Sequence, residues 1–283
     1  MTAKNRYYVP AWVQRFDDHQ RWQHLLLAIS VLMLIITGFP IKFAYTWWAP
    51  HVMSLFGGFK NMLTVHKMFG VVMIFSGIYH LTWLFIKIPS LKRAKWAIIP
   101  SLKDVRDAYY HARYLLGFGK MPKYDRYAYL EKFEYFAVVW GVIIMSATGF
   151  VLWFPELAAI YLPRWVISIF RVVHSFEALV CLIAVVIGHF YSVHFNPDVF
   201  PSSPVWIDGK ISREHLKHEH PLEYDEIAAE NIARGIVFED EEPVQLAGRF
   251  KDSIVLQSVL LIAYIGIFAW ILVSFVPMLF VFG

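Results

Sequence analysis

Five apolar stretches, at 24–45, 64–87, 131–153, 168–194 and 254–281, each match or exceed the ~20 helical residues needed to cross a hydrocarbon core. Lipid offers no water to an open backbone, so a crossing segment must close its hydrogen bonds internally. No alternating, strand-like pattern competes with helix in these stretches. The expected fold class is therefore an all-α membrane protein, a transmembrane helical bundle. Residues 1–195 would supply a four-helix core, 196–252 a polar segment, and 253–283 one additional C-terminal span. The composition agrees, with 58% hydrophobic and 18% aromatic residues and a mean hydropathy of +0.49.

Charge gives an orientation. Lys4, Arg6, Arg15 and Arg21 precede the first span, eleven Lys and Arg fall in 87–132, and six fall in 195–252. The other two connections carry only Lys60, and Arg164 with Arg171. Basic loops stay in the cytoplasm, which predicts a multi-pass protein of the bacterial inner membrane with its N-terminus cytoplasmic and its C-terminus outside. The net charge of +4 is then topology, and nothing in it argues for nucleic acid as a partner. Residues 1–23 lack the apolar core and small-residue cleavage site of a signal peptide. Cys181 is the single cysteine and no C-x-x-C-H occurs, which excludes c-type haem attachment and an iron–sulfur cluster held by this chain.

Histidines mark two of the spans. His66 and His80 lie fourteen residues apart in the second, and His174 and His189 fifteen apart in the fourth. At ~1.5 Å per residue, each pair defines two levels ~21 Å apart. Ionisable side chains inside membrane spans are functional candidates by default. A lone histidine could equally be a satisfied packing residue, but four at matched depths favour two bis-histidine haems stacked across the bilayer. Haem iron takes neutral imidazole, and two axial histidines leave no place for oxygen, which suits electron transfer. Zinc would need its ligands clustered at one point. Both spans run in the same direction, so His66 and His174 would hold an outer haem. His189 supplies the inner level, where His24, His80 and His194 all compete to be its partner. Gly70, Gly77 and Gly188 fit a flat macrocycle approaching the backbone.

A weak internal repeat supports the bundle. The first span ends in Thr37-Gly38-Phe39-Pro40 and the third in Thr148-Gly149-Phe150, and each precedes a span with an outer and an inner histidine. Between spans, 101–116 reads as a helix along the cytoplasmic surface. Ser101 and Asp104 cap it, and Leu102, Val105, Tyr109, Ala112 and Leu116 share one face. Residues 196–252, with an acidic stretch from Glu219 to Glu242, are too poor in apolar residues for an independent core. They would wrap a partner, cover the inner face of the bundle, or form a solvated linker.

The chain resembles the membrane cytochrome b (gamma) subunits of respiratory formate dehydrogenases, with relatives in thiosulfate reductases and hydrogenases. The resemblance rests on Arg21-x-x-His24 followed by Gly38, on His66-x-x-x-Gly70, on His174 with His189, and on Gly209-Lys210-Ile211-Ser212 through His220-Pro221. It implies His66 and His174 as one ligand pair and His24 and His189 as the other. The chain departs from that pattern in its additional His80, its extra fifth span and a fourth-span spacing about one residue longer. The spacing in the second and fourth spans is similar to cytochrome b of bc-type quinol complexes, where two helices supply all four ligands. Glu131-Lys132-Phe133-Glu134-Tyr135 and Asn196 through Pro201 look like a broader cytochrome b/b6-domain group associated with multihaem cytochromes. In that group His80 would pair with His189, leaving His24 and His194 for a third haem or for quinone contact.

The function expected is a subunit carrying two or three b haems that moves electrons across the membrane, rather than a stand-alone enzyme. It would connect the quinone pool, menaquinone or ubiquinone, with an outer-side periplasmic redox subunit such as a multihaem cytochrome or iron–sulfur protein. That partner would dock on loops 46–63 and 155–167. Tyr127, Glu131 and Lys132, with Asp17 and Arg21, are the quinone-site candidates, a carboxylate to carry the proton and a tyrosine to bond a carbonyl. The gamma-subunit pattern has amides where this chain has Ala128 and Glu131, and an ordinary interfacial belt would use the same residue types. The competing class is a histidine-lined proton or metal transporter without haem, which would favour polar helix breaks at mid-membrane.

Overall fold

Asp17 and Gln20 close a reciprocal cap: the Asp17 N–H donates to Gln20 Oε1 at 3.0 Å and the Gln20 N–H to Asp17 Oδ1 at 2.9 Å. The first long helix, α1 (Asp18–Lys42), therefore starts six residues before its predicted span. A strand β1 (Trp12–Gln14) precedes it. The computed structural model describes residues 6–87, 93–196, 199–203, 205–239 and 254–281. After α1 come α2 (Ala49–Leu55), α3 (Phe59–Lys87), a 3-10 stretch (Arg93–Ile98) and α4 (Leu102–Leu115). Then follow α5 (Tyr129–Trp153), α6 (Pro155–Tyr161) and α7 (Arg164–Ile183), which continues through two π-helical stretches, Ala184–His189 and Tyr191–Phe195. The chain goes on through α8 (Val205–Asp208), β2 (Lys210–Ser212), α9 (Arg213–Glu219), α10 (Pro221–Ala233) and α11 (Ile254–Val281).

Four helices among the described residues are long and apolar enough to cross a membrane: α1, α3, α5, and α7 with its π extension to Phe195. The protein is an all-α membrane helical bundle. The fifth predicted span is one helix, α11, whose described apolar stretch is Gln257–Ile267.

Two units divide the chain. One draws on 22–81, 139–203 and 247–283, the other on 1–21, 82–138 and 204–246. In the first, Phe39, Phe43, Trp48, Ala49, Leu179, Leu182 and Val186 form a core, and Tyr264, Ile267 and Trp270 of α11 pack against it. Trp270 sets its ring edge-on to Phe39 at 5.4 Å and to Trp48 at 5.2 Å. Contacting residue numbers run in opposite senses along α1 and α3, along α5 and α7, and along α1 and α7. Neighbours are therefore antiparallel, and α3 and α7 are parallel to each other.

The other unit shows where the polar tail goes. Strand β1 pairs antiparallel with β2, Val13 opposite Ile211. Val9, Ile211 and Leu216 form a small core, with Val13, Val205, Tyr224, Ile227 and Ala228 packed around it. The segment lacks enough apolar residues for its own core, as its composition implies, and completes one with the N-terminal arm. Arg213 stacks its guanidinium over the Tyr7 ring at 3.3 Å, and Asn231 Nδ2 donates to the Tyr8 carbonyl at 2.8 Å. Residues 240–242 of the acidic stretch lie outside the described residues.

Helix α4 matches the predicted surface helix to within a residue. Its Asp104 accepts from the Ser101 N–H at 2.6 Å and pairs with Lys132 Nζ at 2.8 Å. Those donors hold the Asp104 carboxyl below its ordinary pKa against the opposing effect of burial. On the other face Leu102, Val105, Tyr109 and Leu116 are exposed, an apolar stripe of an amphipathic helix.

Gly209 fixes the join between arm and tail. Its φ is +76°, its carbonyl accepts from the N–H groups of Arg15 (2.7 Å) and Phe16 (3.0 Å), and an added Cβ would lie 2.3 Å from the Phe16 carbonyl oxygen. Gly209→Ala is expected to loosen the clamp by at least ~1–3 kcal/mol, the scale of a strained backbone position. Limited proteolysis would read this as faster cutting within 205–239.

Candidate functional site

The predicted histidines meet in pairs. His66 of α3 and His174 of α7 face each other with ring centroids 6.4 Å apart and planes at 71°. His24 of α1 and His189 of the π stretch do the same at 6.1 Å and 52°. A metal held by two imidazoles at ~2 Å from each nitrogen, with rings ~1.2 Å in radius, would set the centroids roughly 6 Å apart. Both pairs have that spacing. Thirteen residues of α1 separate His24 from Thr37, which bonds His66, so the levels lie ~20 Å apart along the helix.

At the His66 level the repeat gains a chemical meaning. Thr37 Oγ1 sits 2.9 Å from His66 Nδ1, and Thr148 Oγ1 sits 2.8 Å from His174 Nδ1. The adjoining glycines let the helices close on the rings, since a Cβ at Gly38 would lie 3.0 Å from His66 Cε1 and one at Gly149 3.3 Å from His174 Cε1. One turn beyond His66, an added Cβ at Gly70 would meet nothing within 4 Å, which leaves room beside the ring for a flat group.

The other level is less symmetric. His80 Nδ1 lies 2.9 Å from Gln23 Oε1, and Ser76 Oγ donates to the Gln23 carbonyl at 3.4 Å. Gln23 is buried, and its amide nitrogen has no hydrogen-bond partner among the described residues. His194 Nδ1 is directed at the Pro201 carbonyl at 3.4 Å, with its ring edge-on to Phe190. The structure thus sets His24 against His189, and His80 beside Gln23.

A π turn takes up one residue more than an α turn. The π stretch Ala184–His189 lies between His174 and His189, so fifteen residues there cover a register close to the fourteen between His66 and His80. Nothing in the local sequence announced it. Thr37, Thr148 and Gln23 are site residues that the histidine spacing does not reveal. Their signal was legible as polar side chains at matched positions inside apolar spans. Glu177, one turn after His174, is a further intramembrane carboxylate, and an added Cβ at Gly141 of α5 would lie 4.0 Å from its Oε1.

Two of the quinone-site candidates, Tyr127 and Glu131, border a buried ionic network. Glu223 accepts from Arg15 Nη1 and, at 2.5 Å, from Arg126 Nη1. Arg15 also donates to the Arg126 carbonyl, and Arg126 Nη2 to the Arg15 carbonyl at 2.6 Å. Tyr127 lies under both guanidiniums, at 5.4 Å and 5.7 Å. Glu131 Oε2 accepts from the Ala128 N–H at 2.6 Å, which caps α5, and its other oxygen is 3.9 Å from Arg15. Its side chain is 44% exposed. Lys132 is engaged by Asp104, Asp17 by the α1 cap, and Arg21 by the Ile207 carbonyl and Asp18. These last three have structural duties, and Tyr127 and Glu131 combine ionic contacts with partial exposure.

Paired imidazoles in a membrane-spanning helical bundle are the arrangement expected of one class of protein, a membrane cytochrome b. A sequence profile described as prokaryotic cytochrome b561 matches residues 15–201, and the chain belongs to that family. It is also 23% identical, over 206 residues, to the nitrate-inducible formate dehydrogenase cytochrome b556(Fdn) subunit of Escherichia coli K12. The match covers 72% of this chain and 86% of that subunit. The corresponding subunits of Escherichia coli O157:H7 and Shigella flexneri match to the same extent. The chain is therefore a membrane cytochrome b, an electron-transfer protein, and its family implies haem b.

His220 gives the ionic network a pH dependence. Its Nδ1 donates to the Asp125 carbonyl at 2.7 Å, while Nε2 lies 3.0 Å from Arg15 Nη2. Burial first, and then the Arg15 charge, lower its pKa from 6.5 to about 3. The unfolded state takes up this proton below pH 6.5 and the folded state only near 3. Stability is then fully present above pH 6.5 and is lost as pH falls toward 3, at up to about 1.4 kcal/mol per pH unit. Hydrogen exchange over 205–239 is expected to accelerate across that window, and His220→Gln to flatten the response. Glu223→Ala, which leaves two buried guanidiniums without their carboxylate, is expected to cost about 3–5 kcal/mol at neutral pH, read as loss of protection in the same segment.

Proposed function

We propose that the protein is a dihaem cytochrome b subunit that carries electrons across the bacterial inner membrane between the quinone pool and an outer-side redox subunit. The observation that carries this reading is the pair of imidazole separations, 6.4 Å and 6.1 Å, at two levels of one bundle. His66 with His174 would hold one haem, and His24 with His189 the other. A haem with both axial positions filled by imidazole exchanges single electrons and presents no site to oxygen. His80 is assigned a supporting place at the second level through Gln23, and the chain is read as having two haems rather than three.

The direction across the membrane follows from the basic loops. Arg15, Arg21, the 87–132 connection and the 205–239 segment lie on the cytoplasmic side, which puts the His66–His174 level toward the outside. The loops at that end carry the short helices α2 and α6, with Trp47, Leu55, Ile160 and Tyr161 exposed. They suit docking of a periplasmic subunit. At the cytoplasmic end, Tyr127 and Glu131 are proposed to meet the quinone, the phenol bonding a carbonyl and the exposed carboxylate taking the proton. The similarity to a formate dehydrogenase cytochrome subunit supports a partner of the same general kind, a catalytic redox subunit.

A reduced-minus-oxidised spectrum of the purified protein is expected to show a b-type alpha band; its absence would leave the histidine-lined transporter as the better reading. His66→Ala and His174→Ala are each expected to remove one haem and leave the other reducible. His24→Ala is expected to lower the haem-to-protein ratio by one, while His80→Ala retains both haems, and the reverse result would move the second site to His80. Glu131→Gln is expected to slow electron exchange with a quinol tenfold or more at unchanged haem content, the usual scale for a lost proton-transfer group.

A further inference from the structure

We infer that Thr37 and Thr148 are paired positioning residues that fix the tautomer and electron donation of the His66 and His174 imidazoles, so that one haem is tuned symmetrically from both faces. This rests on the reading of those histidines as haem ligands. Each hydroxyl has one proton, and in each threonine that proton is committed to its own helix, Thr37 Oγ1 donating to the Met33 carbonyl at 2.6 Å and Thr148 Oγ1 to the Ile144 carbonyl at 2.7 Å. With the proton spent there, the oxygen can only accept from the imidazole. The Nδ1 atoms at 2.9 Å and 2.8 Å must therefore carry hydrogen, which leaves Nε2 of each ring with the lone pair that a metal requires.

The arrangement is built into the backbone. Both threonines are buried, both sit four residues beyond the carbonyl they bond, and both are followed by the glycine that lets the opposite ring approach. The sequence has two Thr-Gly steps, Thr37-Gly38 and Thr148-Gly149, and both serve the His66–His174 level. An acceptor on Nδ1–H raises the basicity of the ligating nitrogen and favours the ferric state. Removing either hydroxyl withdraws that donation, and the affected haem becomes easier to reduce.

The test is a redox titration of the purified subunit carrying Thr37→Val, Thr148→Val, both together, or Thr37→Ser and Thr148→Ser. Haem-to-protein ratio and the low-spin ferric EPR signal are recorded alongside. Valine keeps the β-branched shape and loses only the hydroxyl. Each valine variant is expected to raise the midpoint potential of one and the same haem, by up to a tenfold change in its ferric-to-ferrous ratio (~59 mV). The double variant is expected to move that haem further and leave the other in place, and the serine variants are expected to match the parent. Valine variants with full haem content and unchanged potential and EPR signal would overturn the inference, as would two single variants acting on different haems. If valine abolishes haem binding, the serine variants decide: parent-like haem and potential support the hydroxyl, and loss in serine also overturns it. A parent without any b-type band would instead remove the ligand assignment itself.

Discussion

An imidazole inside a membrane has two nitrogens to satisfy and no water to satisfy them, and the bundle is organised around that demand. One nitrogen of each ring at the first level goes to a threonine on the antiparallel neighbour, which turns the other edge toward the opposite histidine. Antiparallel packing of α1 with α3, and of α5 with α7, is what makes this possible, since it brings the C-terminal third of one helix level with the N-terminal third of the next. Glycine beside each threonine is the second requirement, because any side chain there would press on the ring. Together these reduce the placement of an imidazole to a Thr-Gly step on one helix and a histidine on the next, used twice.

Much of this was legible in the sequence because it is local or periodic. The spans show as apolar runs, the levels as spacings between histidines, and the repeat as two Thr-Gly steps. Span starts were less legible: the Asp17–Gln20 cap carries α1 into polar residues that a hydropathy reading discards. The partner of His189 was undetermined for a different reason. His24, His80 and His194 lie at similar depths, and depth alone says nothing of which way each faces around its helix. The π stretch adds an angular offset that no count of residues reveals.

The tail illustrates the same limit. Arg15 and Glu223 are separated by 208 residues, and the small core joins Val9 and Val13 of the arm to Ile211 and Leu216 of the tail. Composition marks the tail as poor in apolar residues, but cannot name the strand of the arm that packs with it. Tyr127 and Glu131 stand out in the sequence as interfacial residues of the right chemistry. The structure adds that both are tied into the Arg15–Arg126 network, so that a change in protonation there is coupled to how firmly the arm and tail are held.

The π stretch in the fourth span bears on how such proteins change over time. A helix that stores one surplus residue as a wide turn can gain or lose that residue by relaxing the turn, without displacing the helix on either side. The number of residues between His174 and His189 is then free to drift while the depth of each ring is kept. Alignments of related chains that enforce equal histidine spacing would put their gap in a loop, far from the turn that absorbed the insertion. They would then score a retained histidine as a lost one.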